Sequence, residues 1–371
     1  MSKIRPFLAG DVEAVAGIFQ ETFIDPAAAP RPSLVDYLRW HFLEMPGNDP
    51  EIASLVHVGP DGAITGFIGA HTLPMRYGDR RLRAAISSAL MVRNRDGDPL
   101  AGARLLKAFL AGPQDISLSE TTSDVAARMW TSLRGVPLPQ YSLDWIRVLR
   151  PGSFAVDTAA GRISAARLLR PVGRVFDRIS QRRAGQGRLR WSGIAPDWSG
   201  PAGVGVREVD ATAFAALVEP LTQQFALRPC WSEGELEAIL SCARHKPGWG
   251  ELVLASVEAR GGKTVGAFAC YLRPGHIGRV LQVLALPGQA GTVLDSLIGE
   301  AARRGASALR GRTQPALLEA MLGRRIAFVN EASTLVHARD DELVRACRSG
   351  ELFFNGIAGE YWSRLVGGSF D

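Results

Sequence analysis

The amino-acid sequence predicts an α/β protein with two halves, each a mixed, twisted sheet flanked by helices. Apolar periodicity and turn residues between residues 3 and 149 indicate a strand, two helices, three strands, a helix, a strand, a helix and a further strand. The same order recurs between residues 206 and 337, and residues 264–267 (TVGA) resemble residues 64–67 (ITGF). The length of 371 residues also suits two domains. We predict a first domain over residues 1–157 and a second over residues 201–371.

The composition is typical of a globular protein of the cytoplasm. Hydrophobic residues make up 46% of the chain and charged residues 22%. No stretch approaches the ~20 apolar residues that a membrane-spanning helix needs, and residues 1–7 contain no apolar signal region. The four cysteines form no C-x-x-C pair, which favours reduced thiols. The six histidines show no metal-ligand spacing, so we expect no structural metal.

The net charge of +6 is concentrated in one segment. Residues 162–190 contain nine arginines and one acid, Asp177, which gives this segment +8 and leaves −2 for the rest of the chain. It lies in a predicted basic linker over residues 158–200. One interpretation is a helix with solvated arginines that joins the two domains. The other is a cationic face for an anionic partner such as a lipid, a nucleotide or a polyanionic substrate.

The rest of the chain is organised around residues 82–135. The apolar run at residues 82–92 predicts a buried strand, and residues 100–110 predict a helix after a loop that contains glycine. This order turns backbone N–H groups and a helix N-terminus toward one point, which suits a phosphate group. A second strand and a second helix are predicted at residues 115–120 and 123–133.

Local sequences in this half resemble the GNAT acyltransferase family. Residues 123–136 match the family pattern N-x-x-A-x-x-x-Y…G-F, with Ser123 in place of the Asn and Trp130 in place of the Tyr. The resemblance implies two tandem GNAT-like domains, the second of them degenerate. The matching segments are residues 4–6 (IRP, followed by a helix from Asp11), 66–69 (GFIG) and 123–136.

The resemblance implies transfer of an acyl group from acetyl-CoA, or another acyl-CoA, to the amine of a small molecule or amino sugar. In this fold the cofactor enters where two parallel strands separate, here the strands that end near residues 91–92 and 118–120. The family's R-x-x-G-x-G/A motif is altered, since Leu100 stands where a glycine is usual. The residues that the resemblance assigns to cofactor binding are Met91, Val92, Arg95, Gly97, Ala101, Gly102, Ser123 and Trp130.

Three residues are candidates for proton transfer. Glu120 ends the second separated strand and is the predicted base, although a solvated or helix-capping role fits equally. His71 lies on the strand that lines the acceptor side in this fold, where it would shuttle a proton or pack as a half-buried histidine. Tyr141 could replace the acid at the Trp130 position, or it could serve packing alone.

Two other functions fit the sequence. A Fem-type transferase would use aminoacyl-tRNA, with the arginine segment as its RNA-facing element. A catalytically inactive acyl-CoA-binding module would keep the fold without the chemistry, as the altered loop and Trp130 suggest.

Overall fold

The computed structural model describes residues 3–93, 97–160, 173–175, 177, 193–194 and 200–370. It contains two mixed sheets with helices packed on them. The strands are β1 (Lys3–Pro6), β2 (Leu55–Val58), β3 (Ile64–Tyr77), β4 (Arg80–Val92), β5 (Ile116–Thr122), β6 (Val136–Pro137), β7 (Leu143–Val148), β8 (Val204–Glu208), β9 (Leu227–Pro229), β10 (Glu251–Ala259), β11 (Thr264–Leu272), β12 (Ile277–Ala285), β13 (Ala308–Arg312), β14 (Ala327–Asn330) and β15 (Ser333–Ala338).

The helices connect these strands and cover the sheets. The helices that begin at Val12 and Pro32 continue as single π-helical turns at Gln20–Ile24 and Trp40–Glu44. The α-helices are α1 (Val12–Phe19), α2 (Pro32–Arg39), α3 (Ala101–Leu110), α4 (Asp124–Ser132), α5 (Pro139–Ser142), α6 (Pro151–Ala160), α7 (Ala211–Thr222), α8 (Glu235–Ala243), α9 (Ala290–Arg303), α10 (Pro315–Met321) and α11 (Asp341–Ser349).

The two sheets have matching strand orders. The first runs β1-β2-β3-β4-β5-β15-β6, with β9 paired to β3, and the second, read from its other edge, runs β8-β10-β11-β12-β13-β7-β14. Each contains one parallel pair, β4 with β5 and β12 with β13, among antiparallel neighbours. The predicted α/β fold with two mixed sheets is therefore confirmed.

Each sheet contains one interior strand from the other half of the sequence. β7 belongs to the first half of the sequence but lies between β13 and β14 in the second sheet, whereas β15 lies between β5 and β6 in the first sheet. Arg312 at the end of β13 joins the exchanged strands, because its guanidinium donates to the Asp144 carboxylate, to the Thr334 hydroxyl and to the Glu120 carbonyl. The division of the chain into residues 1–157 and 201–371 stays a prediction.

The end of the chain also crosses from one half to the other. Residues 350–370, here called the C-terminal segment, first contact the second half, where Phe353 N–H donates to the Leu227 carbonyl at 2.8 Å. They then reach the first half, where Phe370 packs against Phe19 and Tyr37. Most side chains of this segment are buried, so it belongs to the core that both halves share.

No helix in the described ranges is long and apolar enough to cross a membrane.

Candidate active site

A cleft opens in the first sheet between β4 and β5. The two strands are paired in parallel from Ala84 with Ile116 to Ile86 with Leu118, and beyond these pairs β4 continues to Val92 without contacting β5 in the ladder. The register of β3 and β4 also shifts here, and Ala89 has φ +48°. The shift is a β-bulge, which bends a strand and leaves backbone groups unpaired. Two separated parallel strands are what the sequence predicted at this position.

Two adjoining cavities fill the cleft. The inner one measures about 250 Å³ and the outer one about 400 Å³, and they share Leu90, Ser123 and Ala126 in their walls. The inner cavity also has Ser88 in its wall, whose buried hydroxyl has no hydrogen-bond partner among the described residues. A buried polar atom without a partner is costly, so this hydroxyl is suited to a ligand.

The outer cavity leads to the N-terminus of α3. Gly102 in the first turn lines it together with Val92 and Asp98. Among the described residues, no side chain caps this helix, whose N-cap residue is Leu100. The N–H groups of a first helical turn have no intrahelical acceptor, and here the Ala101 N–H donates to the Asp98 carbonyl at 3.2 Å. A helix start of this kind attracts phosphate. Asp98 works against this attraction, although its carboxylate is paired with the Arg104 guanidinium.

The structure brings several of the predicted cofactor residues to the cleft. Ser123 and Trp130 line the inner cavity, and Val92 and Gly102 line the outer one. The other four differ in position: Met91 is buried opposite Phe67 of β3, Ala101 is the buried first residue of α3, Gly97 lies in the preceding loop, and Arg95 lies outside the described residues.

The Glu120 side chain is directed away from the cleft. It is fully buried, and its carboxylate accepts hydrogen bonds from the N–H groups of Gly356 (3.1 Å), Glu360 (2.5 Å) and Tyr361 (3.3 Å). Its neighbours Ser119 and Thr121 line the inner cavity, as expected from the alternation of side chains along a strand. Burial raises the pKa of Glu120, an effect that the nearby Arg312 opposes. Its role as the base stays a prediction.

His71 and Tyr141 are both buried in the core. The His71 ring packs against His41 and Trp362, and its Nδ1 has no hydrogen-bond partner among the described residues. Burial lowers the pKa of His71 to about 4, so the ring is neutral at pH 7. The Tyr141 hydroxyl donates to the Leu352 carbonyl at 2.7 Å, and burial raises its pKa. Neither side chain lines the two cavities, and their proposed roles in proton transfer stay predictions.

The acid that faces the inner cavity is Glu360 in the C-terminal segment. Its carboxylate accepts hydrogen bonds from the N–H groups of Glu120 (2.8 Å) and Thr121 (3.0 Å) and from the Thr121 hydroxyl (3.2 Å). Glu120 and Glu360 thus each bind the other's backbone. Burial, reinforced by the charge of Glu120, raises the pKa of Glu360 to about 7. Sequence reasoning missed this residue because it is 240 positions from Glu120 and no local motif marks it.

Lys246 fixes the same segment from the other side. The residue is fully buried, and its ammonium donates to the carbonyl groups of Tyr361 and Val366 and lies 4.2 Å from the centre of the Trp249 ring. Burial lowers the pKa of Lys246 to about 7. Val366 lines the inner cavity, so Lys246 helps to hold one wall of the cleft in place.

The second sheet has a smaller counterpart of the cleft. A cavity of about 220 Å³ lies beside the end of β12, with Leu284, Ala316 and Phe353 in its wall. Arg310 and Arg312 of the neighbouring strand β13 are paired with Asp144 of β7. Phe353 of the C-terminal segment lines this cavity, and Glu360 of the same segment lines the inner cavity in the first sheet.

Comparisons with solved structures identify the fold. One match is a probable N-acyltransferase of unknown function from Enterococcus faecalis V583, with a TM-score of 0.58 and 10% identity over 91% of this chain and 73% of that one. GCN5-related N-acetyltransferases from Kribbella flavida and Anabaena variabilis ATCC 29413 match with TM-scores of 0.53 and 0.57, each at 11% identity over 92% of this chain and 72% and 74% of theirs. No protein-family model and no curated protein matches the chain.

These matches and the topology define a protein with two mixed sheets and the fold of the GCN5-related N-acetyltransferases. The fold predicted from residues 4–6, 66–69 and 123–136 is confirmed.

Proposed function

We propose that this protein is an acyl-CoA-dependent N-acyltransferase that uses acetyl-CoA and a small-molecule amine. The observation that carries the proposal is the cleft between β4 and β5, which leads from the N-terminus of α3 to the inner cavity. Its two cavities share Leu90, Ser123 and Ala126 in their walls, so one ligand could occupy both. The matched N-acetyltransferases of the same fold support this reading.

The residues of the cleft fit the parts of an acyl-CoA. The first turn of α3 at Gly102 would hold the diphosphate, and the apolar wall formed by Val92 and Met129 would contact the pantetheine arm. At the inner end, the bulge at Ala89 and Leu90 offers backbone N–H groups, and Ser88 offers a hydroxyl. Donors at this position would stabilise the charge that develops on the thioester oxygen during attack by the amine.

Isothermal titration with acetyl-CoA tests the proposal. We expect micromolar binding, and we expect Ala126→Trp to abolish it because Ala126 lies in the walls of both cavities. Arg128→Trp is the matched control, since Arg128 is an exposed residue of the same helix outside these walls. Unchanged binding in the Ala126→Trp variant, or no binding by the unmodified protein, would contradict the proposal.

A location in the cytoplasm and an anionic partner of the arginine segment remain predictions. Most residues of that segment lie outside the described ranges.

A further inference from the structure

Among the residues that the structure describes, Glu360 is the only charged residue in the wall of the inner cavity. The other side chains of this wall are apolar or carry hydroxyl groups. The outer cavity, which approaches the N-terminus of α3, contributes only Asp98 as a charged residue. If an acyl-CoA enters with its diphosphate at α3, the thioester end points toward the inner cavity, where Glu360 is the available carboxylate.

The hydrogen bonds of Glu360 hold its carboxylate at a fixed position. Its Oε2 accepts from two backbone N–H groups of β5, and its Oε1 accepts, as far as the described residues go, from the Thr121 hydroxyl alone. A carboxylate oxygen can accept more than one hydrogen bond, so Oε1 keeps capacity for a further donor. The reciprocal bonds from the Glu360 and Tyr361 N–H groups to Glu120 fix the backbone on either side.

We propose that Glu360 is a catalytic residue of the first-half cleft, where its carboxylate accepts the proton of the incoming ammonium. This inference rests on the proposed acyltransferase function. It also means that the C-terminal segment of the second half supplies the base for a site built from the first half.

The proposed reaction balances as follows. The Glu360 carboxylate takes one proton from the ammonium and becomes a carboxylic acid, which leaves a neutral amine. The amine nitrogen forms a bond to the thioester carbon, and the carbon–sulfur bond breaks. The leaving thiolate takes the second proton from the nitrogen, so that an amide and a thiol are formed. Glu360 then returns its proton to solvent.

The surroundings of Glu360 set its titration. The titratable groups beside Glu360 and its backbone are Glu120 on β5, Lys246 after α8 and the adjacent Tyr361. Arg312 on β13 donates to the Glu120 carbonyl and acts on Tyr361. The negative charge of Glu120 adds to the burial effect and raises the pKa of Glu360 to about 7. A base with a pKa near the working pH is the most effective for proton transfer.

Glu360→Gln tests the assignment with acetyl-CoA and two kinds of nucleophile. The first kind is an ammonium acceptor, namely the fastest of glucosamine, lysine and tyramine. The second is hydroxylamine, which is already uncharged at neutral pH and needs no base before attack. We expect Glu360→Gln to lower kcat/KM for the ammonium acceptor by about 100-fold or more, with little change in transfer to hydroxylamine and in acetyl-CoA binding.

The pH profile separates a catalytic role from a structural one. For the unmodified protein we expect kcat/KM to fall below about pH 7, as Glu360 becomes protonated. Glu360→Gln should remove this limb. Glu120→Gln should move it to lower pH, because the repulsion between the two carboxylates is removed. Lys246→Met controls for the other nearby group with a pKa of about 7 and should leave an acidic limb in place.

Four results would overturn the inference. An equal loss with both kinds of nucleophile would indicate a structural role, and an unchanged profile in Glu360→Gln would exclude the residue as the base. If the fall of kcat/KM below about pH 7 disappears in Lys246→Met, the group that titrates is Lys246 and not Glu360. Transfer to hydroxylamine but to none of the three ammonium acceptors would show that the cleft has no working base. Absence of acetyl-CoA binding by the unmodified protein is a different outcome, since it rejects the proposed function itself.

Discussion

Asp98 places a negative charge beside the helix start that would receive a diphosphate. It lies in the outer cavity wall and is paired with Arg104, which also approaches His57 Nε2 at 3.2 Å. The nearby Arg93 is engaged with Glu21 at 2.6 Å. Arg93 and Arg104 are therefore both paired with acids. The altered R-x-x-G-x-G/A motif and this arrangement together indicate weak rather than tight binding of the nucleotide.

We expect Asp98→Asn to strengthen acetyl-CoA binding. The change removes a like charge from the phosphate site and releases Arg104 to interact with the ligand. The gain should be about threefold to tenfold at low salt and should shrink as salt is added. Titration calorimetry at two salt concentrations measures it, and Glu13→Gln on the exposed face of α1 is the control. Equal affinity in Asp98→Asn and in the unmodified protein would place the diphosphate elsewhere.

At the residue scale, the sequence predicted where the cleft lies but did not identify every side chain that lines it. Ser123, Trp130 and Gly102 could be predicted because they belong to short segments whose strand and helix are continuous in sequence. Glu120 was found for the same reason, at the end of a strand, but local pattern cannot show that its carboxylate would be directed toward a segment 240 residues away. Glu360 could not be found, because its position depends on contacts with Glu120 and Thr121, about 240 residues away in the sequence.

Among the elements, the C-terminal segment depends on charge for its stability. Its contacts include two buried carboxylates, Glu120 and Glu360, that lie close to each other, and the buried Lys246. The pKa of Glu360 is raised to about 7 from an ordinary value of 4.5. A raised pKa means that the folded state binds the proton more tightly than the unfolded state, so folding is favoured when Glu360 is protonated.

The contribution of Glu360 to the free energy of unfolding should therefore fall as pH rises from about 5 to about 7, whereas the contribution of the buried His71, whose pKa is lowered to about 4, should rise over the same range. Glu360 contributes stability that is complete below its unfolded pKa and is lost as pH rises through its folded pKa, for a total of about 3 kcal/mol. Lys246 acts above this window, because its pKa is lowered from 10.5 to about 7. Urea unfolding of the unmodified protein and of Glu360→Gln at pH 5 and pH 7 isolates this contribution, because the buried histidines titrate in both proteins. The difference in stability between the two should change by about 2 to 3 kcal/mol between pH 5 and pH 7. A Glu360→Gln variant with the same pH dependence as the unmodified protein would contradict the argument.

The two sheets of the whole molecule are joined by more than a linker. β7 completes the second sheet, β15 completes the first, and the C-terminal segment contacts both. Each sheet would lose an interior strand if the other half were absent. A strand with two neighbours cannot be removed without leaving backbone groups of both unpaired, which is costly in a buried sheet.

We expect the protein to unfold in one cooperative transition. Calorimetry should give a single peak, and a fragment of residues 1–157 should remain unfolded when it is expressed alone. Co-expression with residues 201–371 should restore the structure, because both exchanged strands are then present. Two separate calorimetric transitions, or a folded fragment of residues 1–157, would show that the exchanged strands contribute little.

Periodicity predicted most of the individual strands and helices, but it could not predict that β7 and β15 are exchanged between the two sheets. β7 and β15 correspond to the last strands predicted in the two halves, which end near residues 149 and 337, but sequence pattern says only that a strand is buried and not which sheet accepts it. The two halves have matching topologies, so either sheet offers an equivalent place. Short elements such as β9 and the irregular C-terminal segment carry too few periodic positions to be recognised.

The crossing of residues 360–366 into the first half has a consequence for biosynthesis. A ribosome completes β4, β5 and α3 long before it reaches β15 and Glu360, so the nascent chain lacks both an interior strand of the first sheet and the inner wall of the cleft until these residues have been made. Under the proposed role of Glu360, catalytic competence would then arise only after residue 360 has been translated, and a truncated product released before that residue would be unable to modify an amine.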